Sequence, residues 1–332
     1  KILAMKFDAV VANPPYMGGK GMPLALKEFA STYFAATKLD LYSTFIERGF
    51  QLCKATGINS MVTMQSWMFL SSFAPFRQKL LVERSITSLI QIGYNSFPEM
   101  NSKVAQACAF SVFASKTDGL VGRYVDLNSA PQSSDKSEIL INRDSGIIYD
   151  VFPDNFRKMP GSPLSYTIAP GLLKTFGFMK LGELTKGEGK NVTADNERFL
   201  RFVWEVSAKT VGKGMKWIIY AKGGDYRRWA GNLDYVCDWS ETARKHYRSN
   251  NSSRIIDEEF WYLPGLTWTV IATSGVGFRY LPPDTTFDTK GLALFFKAKE
   301  NIVPMLALLN STVGQKLISF VNQTMSINTI DV

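Results

Sequence analysis

The run Asn13-Pro14-Pro15-Tyr16 contains the residue types in this sequence that are best suited to chemistry on a bound ligand. The Asn13 side chain and the Pro14 carbonyl offer hydrogen-bond acceptors, and Tyr16 offers a flat aromatic face. Together these groups can hold a planar ring that bears an amino group. Because two consecutive prolines neither continue a strand ladder nor enter a helix interior, the run is predicted to form a turn.

An apolar segment of strand character, Phe7–Ala12, directly precedes this turn. Its near-continuous hydrophobicity is typical of a parallel strand that is covered on both faces. Open α/β sheets bind their ligands at the carboxyl ends of such strands. We therefore expect residues 13–16 to lie at a ligand-binding edge of a sheet.

Helical and strand-like segments alternate over residues 1–127, and this alternation predicts an α/β fold. The predicted helices span 41–54 and 73–83, and the predicted strands span 7–12, 58–64, 88–94, 106–115 and 121–127. Ser71 or Ser72 is expected to cap the second helix. The order of elements predicts part of a doubly wound, Rossmann-like sheet that lacks its first strands.

The composition changes twice after residue 127. Residues 128–180 begin with a polar stretch and are predicted to be a connector, with a short helix at 149–158 and a turn at 159–163. Residues 181–332 hold six of the seven tryptophans among short apolar runs, which predicts an α+β, strand-rich second domain. Its last part, 302–322, is predicted to be a helix that is interrupted or restarted near Asn310 and Ser311.

Composition narrows the classes of function. The formal net charge of +9 and the pI near 9.3 suit a protein that contacts phosphates. With His246 as its one histidine, a Ser-His-Asp mechanism or a histidine-rich metal site is not expected, and no metal site is predicted. Cys53, Cys108 and Cys237 lie far apart in sequence, and we find no signal peptide or long apolar run. A cytoplasmic protein without a membrane anchor is therefore expected.

The turn and several later runs resemble one enzyme family. Residues 13–16 match the Asn/Asp-Pro-Pro-Tyr/Phe motif of DNA amino-methyltransferases. The runs that are similar to one branch of it are FDAVVANPPYMGGK (7–20), MPGSPLSY (159–166), NERFLRFVWEV (196–206), KWIIYAKGGDYRRW (216–229) and LTWTVIATSGVGFRY (266–280). That branch is the adenine-specific methyltransferase of BREX/Pgl phage-exclusion systems, which is related to type IIG restriction-modification enzymes. The resemblance covers residues 5–332.

This resemblance implies transfer of a methyl group from S-adenosylmethionine to N6 of an adenine flipped out of double-stranded DNA. It assigns catalysis to Asn13, Pro14, Pro15 and Tyr16, of which Asn13 and Pro14 also contact the cofactor. Tyr16 and Phe97 would stack on the flipped base, with Tyr94 an alternative to Phe97 and an ordinary core position an equal reading for Phe97. A protein amide, an RNA amine or cytosine N4 is a further possible acceptor for the same motif.

The second domain resembles a target recognition domain. Between Arg198 and Tyr280 the sequence has 13 Lys and Arg against 8 Asp and Glu, interleaved with aromatic residues. The residues predicted to bind DNA are Lys222, Arg227, Arg228, Asn232 and Arg279. For any one of them, an exposed basic turn without a ligand is an equal interpretation. Trp204, Trp217 and Trp268 are predicted to be core residues rather than base-stacking ones.

One part of the family pattern is missing from this sequence. In the branch it resembles, a Gly-rich cofactor loop precedes the Asn-Pro-Pro-Tyr motif, and we find no Gly-x-Gly-x-x-Gly after a strand. We therefore expect an upstream segment of the same protein, or a second chain, to complete the sheet and the cofactor pocket. Other phage-defence proteins are expected partners. A DNA-specificity module without catalysis of its own is the alternative function.

Overall fold

The structure is a computed structural model that describes residues 5–94, 96, 106–131, 134–142, 145–186, 189–271, 275–322, 327–329 and 332. The chain divides into two compact units, Lys1–Gly177 and Phe178–Val332. The division falls near the end of the segment predicted to be a connector, and most of that segment belongs to the first unit.

The first unit is built on a six-stranded mixed sheet. Its strands are β1 (Phe7–Ala12), β2 (Cys53–Met64), β3 (Ser85–Gly93), β4 (Ala107–Phe113), β5 (Gly122–Asp126) and β6 (Ile148–Val151). They lie in the order β1-β2-β4-β3-β5-β6. The pairs β1–β2 and β3–β5 are parallel, and the other three pairs are antiparallel. This arrangement confirms the predicted α/β class.

Strand β6 corrects the helix that was predicted over residues 149–158. Ile148, Tyr149 and Val151 have the branched and aromatic side chains that favour a strand once an edge is available, and the antiparallel edge of β5 supplies one. The rest of the predicted helix is the short 3-10 helix Pro153–Lys158, which proline begins.

The helices of the first unit are α1 (Leu24–Tyr33), α2 (Leu41–Leu52), α3 (Ala74–Glu83), α4 (Lys136–Asn142) and α5 (Pro170–Leu173). The sequence predicted α2 and α3, although β2 begins directly after α2 rather than at residue 58. The predicted serine cap of α3 is wrong, because Ser71 and Ser72 belong to a 3-10 turn and Phe73 takes the cap position without a side-chain hydrogen bond.

The central strands are covered on one face within the described residues. In β2 the residues Asn59, Met61 and Thr63 are buried, whereas the alternate residues between them are only partly buried. The buried face packs against α2 and α3 through one hydrophobic cluster. On β1, at the edge of the sheet, the Val11 side chain is 78% exposed. The prediction that β1 is covered on both faces is therefore wrong for this part of the chain.

The second unit contains two four-stranded sheets. The strands are β7 (Thr185–Lys186), β8 (Leu200–Phe202), β9 (Trp217–Ala221), β10 (Tyr235–Asp238), β11 (Gly265–Thr269), β12 (Arg279–Leu281), β13 (Thr285–Phe287) and β14 (Gly291–Phe296). One sheet has the order β13-β9-β10-β8 and the other β12-β11-β14-β7. A hydrophobic cluster with Ala221, Leu281 and Phe295 joins residues from both sheets.

Helices cover the two sheets of this unit. They are α6 (Leu181–Leu184), α7 (Asn196–Phe199), α8 (Glu241–Ser249), α9 (Ile302–Asn310) and α10 (Thr312–Val321). The predicted interruption near residue 310 is confirmed, since Ser311 ends α9 and its hydroxyl accepts from the Gly314 amide to cap α10. Helix α8 packs beneath β9 and β10, and α9 and α10 pack against β11.

The predictions for three tryptophans have different outcomes. Trp217 and Trp268 are buried, as predicted. Trp204 is 69% exposed, so its predicted core position is wrong. Its ring instead lies on Phe202, with centroids 4.4 Å apart and planes inclined by 7°, and Phe202 in turn stacks on Tyr235. A local aromatic stack therefore replaces burial in the core.

The described part of the chain has no helix with the length and apolar content that crossing a bilayer requires. Within the same residues, no three His, Cys, Asp or Glu side chains come together as metal ligands. Cys53, Cys108 and Cys237 are buried free thiols.

Candidate functional site

The Asn-Pro-Pro-Tyr turn lies at the carboxyl end of β1, where the sequence predicted it. Asn13 is exposed, Pro14 is buried and Tyr16 is partly buried. Pro15 is exposed as well. Because β1 and β2 are parallel, their carboxyl ends meet at the same edge, so the turn lies beside the segment that follows Met64.

The turn is attached to the amino end of α2. The Met17 amide donates to the Asp40 carboxylate at 3.1 Å, and the Leu41 amide donates to the Met17 carbonyl at 3.0 Å. Asp40 also accepts from the Tyr42 amide and so caps α2. Burial raises the pKa of Asp40, and the amide hydrogen bonds act in the opposite direction. One carboxylate thus joins the motif to the helix behind it.

Tyr16 is oriented by a second tyrosine. Its ring meets Tyr42 edge to face, with centroids 6.0 Å apart and an interplanar angle of 86°. Tyr42 is buried, and its hydroxyl lies 2.7 Å from the hydroxyl of Ser66 in the segment after β2. The Tyr16 hydroxyl has a long contact of 3.5 Å to Asn13 Oδ1, which brings the two predicted catalytic side chains together.

Burial, and then the neighbouring Cys108, raise the pKa of Tyr16 to about 12. Burial also raises the pKa of the Cys108 thiol to about 12. Both groups therefore keep their protons at neutral pH. The turn offers the Asn13 oxygen as a hydrogen-bond acceptor and Tyr16 as an aromatic ring. Neither of these two side chains is a general base at that pH.

Sequence reasoning missed a buried arginine behind this edge. Arg77, in α3, donates to the carbonyls of Trp67 at 2.9 Å and Leu70 at 2.7 Å, in the segment after β2. It also donates to the carbonyl of Gly161 at 2.7 Å, within the run 159–166 that resembles the family. Burial lowers its pKa to about 10, so it stays charged. The available signal was its spacing of three or four residues from Phe73, Leu80 and Leu81, which places it on the apolar face of the helix.

The predicted second aromatic platform is Phe97, with Tyr94 as the alternative. Phe97 lies outside the described residues. Tyr94, the alternative, is partly buried at the end of β3, and its carbonyl accepts a hydrogen bond from Lys136. The contact of either ring with a base stays a prediction.

The predicted DNA-binding residues gather on and beneath the loop between β9 and β10, residues 222–234. Arg227 and Arg228 are exposed, and the Arg228 guanidinium lies 5.6 Å from the centre of the Tyr226 ring. Lys222 is partly buried, with its Nζ 4.9 Å from the centre of the Tyr235 ring. These three cations are accessible to a ligand.

The other two predicted DNA-binding residues are buried. Asn232 donates from its side chain to the Asp225 carbonyl at 2.8 Å and thereby holds the loop closed. Arg279, on β12, is 2% exposed, and its Nη1 donates to the Gly277 carbonyl at 3.1 Å and more weakly to the Arg227 carbonyl at 3.5 Å. Burial, then the neighbouring Arg227, lower the pKa of Arg279 to about 10, so it remains a cation.

The loop is also attached to the strand beneath it. The Trp229 amide donates to the Phe278 carbonyl at 2.9 Å, and the Tyr280 amide donates to the Trp229 carbonyl at 2.8 Å. Gly277 allows the close approach, because a Cβ there would lie 2.2 Å from the Arg227 carbonyl oxygen. The ion pairs of the described residues include none with Arg227, Arg228 or Arg279. The loop therefore presents positive charge that no acidic side chain there pairs with.

Comparison with known proteins gives this architecture a context. A family model described as Eco57I restriction-modification methylase matches residues 2–97. The chain is 35% identical to the adenine-specific methyltransferase BrxX of Escherichia coli O9:H4 (strain HS), over 100% of this chain and 28% of BrxX. It is 30% identical to the adenine-specific methyltransferase PglX of Lacticaseibacillus casei (strain Zhang), over 98% of this chain and 29% of PglX. The chain thus spans less than a third of the length of either relative.

Solved structures share the fold. The type IIL restriction-modification enzyme MmeI, in complex with DNA, matches with a TM-score of 0.60 at 10% identity, over 96% of this chain and 45% of MmeI. A nuclease-deletion mutant of the type ISP enzyme LlaGI, in complex with a DNA substrate mimic, matches with a TM-score of 0.59 at 11% identity, over 99% of this chain and 34% of LlaGI. At these identities the likeness concerns the fold alone.

Proposed function

This chain is homologous over its full length to the BrxX and PglX adenine-specific methyltransferases, and on that premise we propose what it does in the whole protein. It contributes the catalytic motif and the target recognition domain of an S-adenosylmethionine-dependent DNA adenine N6-methyltransferase in a phage-defence system. The observation that carries the proposal is the exposed Asn13 at the carboxyl end of β1, with Tyr16 beside it.

Two acceptors in the turn suit the chemistry of an exocyclic amine. The lone pair of adenine N6 is delocalised into the ring, so the amine is a poor nucleophile. The Asn13 side-chain oxygen and the Pro14 carbonyl, each accepting one amino hydrogen, favour a pyramidal nitrogen with a localised lone pair. The same acceptors stabilise the positive charge that develops on the nitrogen, which is preorganised electrostatic catalysis. The scheme uses no histidine.

The substrate base would leave the duplex to reach this turn. Base flipping costs a few kcal/mol, and stacking on an aromatic ring returns about 1–3 kcal/mol per base. Tyr16 is the proposed platform, and Phe97 is proposed as the second. The Tyr42 ring, which meets Tyr16 edge to face, holds the platform in place.

The described residues fit one side of a cofactor pocket. Asn13 and Pro14 follow an edge strand of a parallel pair, the position at which open α/β sheets bind ligands, and we propose that they contact the cofactor. S-Adenosylmethionine supplies the methyl group when bound. No described strand pairs with the outer edge of β1, and this supports a further strand beside it, from another segment of the protein or a second chain.

The loop of residues 222–234 is proposed to contact double-stranded DNA. Lys222, Arg227 and Arg228 would meet phosphates or base edges. Asn232 and Arg279 are proposed to act from below, by holding the loop backbone in the conformation that presents those cations. Other phage-defence proteins remain proposed partners, and we propose a cytoplasmic location.

Substitution of Asn13 tests the proposed activity in the full-length protein. Asn13→Ala should remove adenine methylation and spare DNA binding, because it deletes an acceptor used in the transition state rather than a phosphate contact. The readouts are methylated-base sequencing of host DNA, which also distinguishes cytosine N4, and a gel-shift titration. Asn142→Ala, at an exposed asparagine of α4, is the control. Unchanged methylation in Asn13→Ala would refute the role of this residue.

The edge of β1, which pairs with no other strand among the described residues, also favours a second function, a DNA-specificity module without catalysis of its own. In that case the wild-type full-length protein binds duplex DNA and leaves its bases unmethylated. The same two readouts therefore separate the two functions.

A further inference from the structure

Trp229 is exposed on a backbone conformation that a bulky side chain rarely adopts. Its φ is +74°, in the left-handed region, and 52% of the residue is exposed. Glycine or asparagine would take this conformation more easily. Burial of the ring in a core does not explain a tryptophan here.

The protein maintains this conformation with several contacts. Hydrogen bonds join the Trp229 amide and carbonyl to the Phe278 carbonyl and the Tyr280 amide on either side of Arg279. Gly277 leaves room for the neighbouring Arg227 carbonyl. An unfavourable backbone conformation that is held this firmly is characteristic of a functional position.

The surroundings of Trp229 favour a polyanion with flat apolar groups. Arg227 and Arg228 precede it and are exposed, and Tyr226 is 48% exposed. Beneath them lies the buried cation of Arg279, and no acidic side chain in the described residues pairs with any of the three arginines. A nucleic acid carries both kinds of group. Its phosphates can pair with the arginines, and its bases can stack on the aromatic rings.

We propose that Trp229 inserts its ring between neighbouring bases of the bound DNA, as a wedge that the arginines position. The proposal rests on the proposed DNA-binding function of the loop and adds a specific contact to it. Aromatic and apolar wedges unstack a base step and bend the duplex, and the unstacking is offset by wider contact with the protein. A rigid backbone at the base of the wedge keeps its insertion angle constant.

A duplex with an abasic site provides the test. The missing base leaves a gap between stacked bases, so a ring can enter there without the free-energy cost of unstacking. The full-length protein is titrated with an intact duplex and with the same duplex carrying one abasic site. The wild type should bind the abasic duplex more tightly. Trp229→Asn keeps the left-handed backbone but removes the ring, so it should bind the intact duplex about fivefold or more weakly and lose the preference. Trp229→Phe should retain the preference, and Val303→Ala, at an exposed position of α9, is the control.

Photocrosslinking gives a second readout that needs no substitution. DNA that contains 5-iododeoxyuridine crosslinks on irradiation to a stacked aromatic ring, and peptide mapping should identify Trp229. Wild-type affinities and an unchanged abasic preference in Trp229→Asn, or crosslinks only at other residues, would overturn the wedge. If the wild type binds neither duplex, the proposed DNA-binding function itself fails.

Discussion

Asn13 and Tyr16 differ in what they offer a substrate, although they lie next to each other. Asn13 offers an acceptor atom, and Tyr16 offers a ring whose hydroxyl lies 3.5 Å from that acceptor. A contact of this length contributes little energy. The ring, held edge to face by Tyr42, is therefore the part of Tyr16 that we expect to matter.

Two substitutions of Tyr16 separate the ring from the hydroxyl. Tyr16→Phe should keep methylation within about threefold of the wild type, because the hydrogen bond to Asn13 that it loses is weak. Tyr16→Ala should lower methylation by at least about tenfold, since it removes the proposed stacking platform. Single-turnover methylation by the full-length protein measures both. Equal losses in the two variants would instead assign the role to the hydroxyl.

In loop 222–234, buried residues hold the backbone that carries the exposed arginines. Arg279 and Asn232 donate hydrogen bonds to loop carbonyls, whereas Arg227 and Arg228 face solvent. Burial, and then the nearby Arg227 cation, lower the pKa of Arg279, so two like charges lie close together in the structure. That arrangement is unfavourable without a ligand and is relieved by an anion.

Charge reversal tests this element directly. Arg227→Glu with Arg228→Glu should weaken DNA binding by at least about tenfold and reduce its salt dependence, because the proposed phosphate contacts are lost. Gel-shift titrations of the full-length protein at several salt concentrations measure both effects. Lys245→Glu with Lys299→Glu changes the same charge at exposed positions elsewhere in the second unit. Equal weakening in that control would place the DNA-binding surface elsewhere.

The position of the loop can be changed without changing its charge. In Gly277→Ala the new Cβ would lie 2.2 Å from the Arg227 carbonyl oxygen, so the loop must move away from β12. DNA affinity should fall at least about threefold because the cations lose their positions. Gly182→Ala is the matched control, since a Cβ there meets nothing within 4 Å. Wild-type affinity in Gly277→Ala would mean that the cations act without the support of β12.

The sheet of the first unit has two unlike faces. Residues on one face of β2, β3 and β4 are buried against helices, and residues on the other face remain partly exposed in the described part of the chain. A shallow hollow on that face is lined by Val11, Val62 and Ile90 among others. Exposed apolar surface next to an open sheet edge marks an interaction site.

The isolated 332-residue chain should therefore bind S-adenosylmethionine poorly and should not methylate DNA. The proposed cofactor residues, Asn13 and Pro14, form one side of a pocket, and the strand proposed to lie beside β1 supplies the other. Calorimetry on the isolated chain and on the full-length protein measures the difference. If the two bind the cofactor equally well, the pocket is complete within these residues.

Much of the first unit could be predicted from local patterns. The Asn13 turn, α2 and the strand β1 follow from proline chemistry, helical spacing and apolar runs, which depend on neighbours in the sequence. The chemistry of the acceptors follows from their residue types. Predicting these features required no information about contacts between residues that are distant in the sequence.

The burial of side chains and the pairing of strands were decided by the tertiary structure alone. Residues 148–151 form a strand because β5 offers an edge, and Trp204 is exposed because Phe202 and Tyr235 stack beneath it. Arg279 resembles an exposed DNA contact in the sequence, but the carbonyls of residues 227 and 277 hold it inside. Each of these outcomes involves a group distant in the chain, namely β5, Tyr235 and the Arg227 carbonyl, because burial and strand pairing are properties of the folded neighbourhood rather than of the residue.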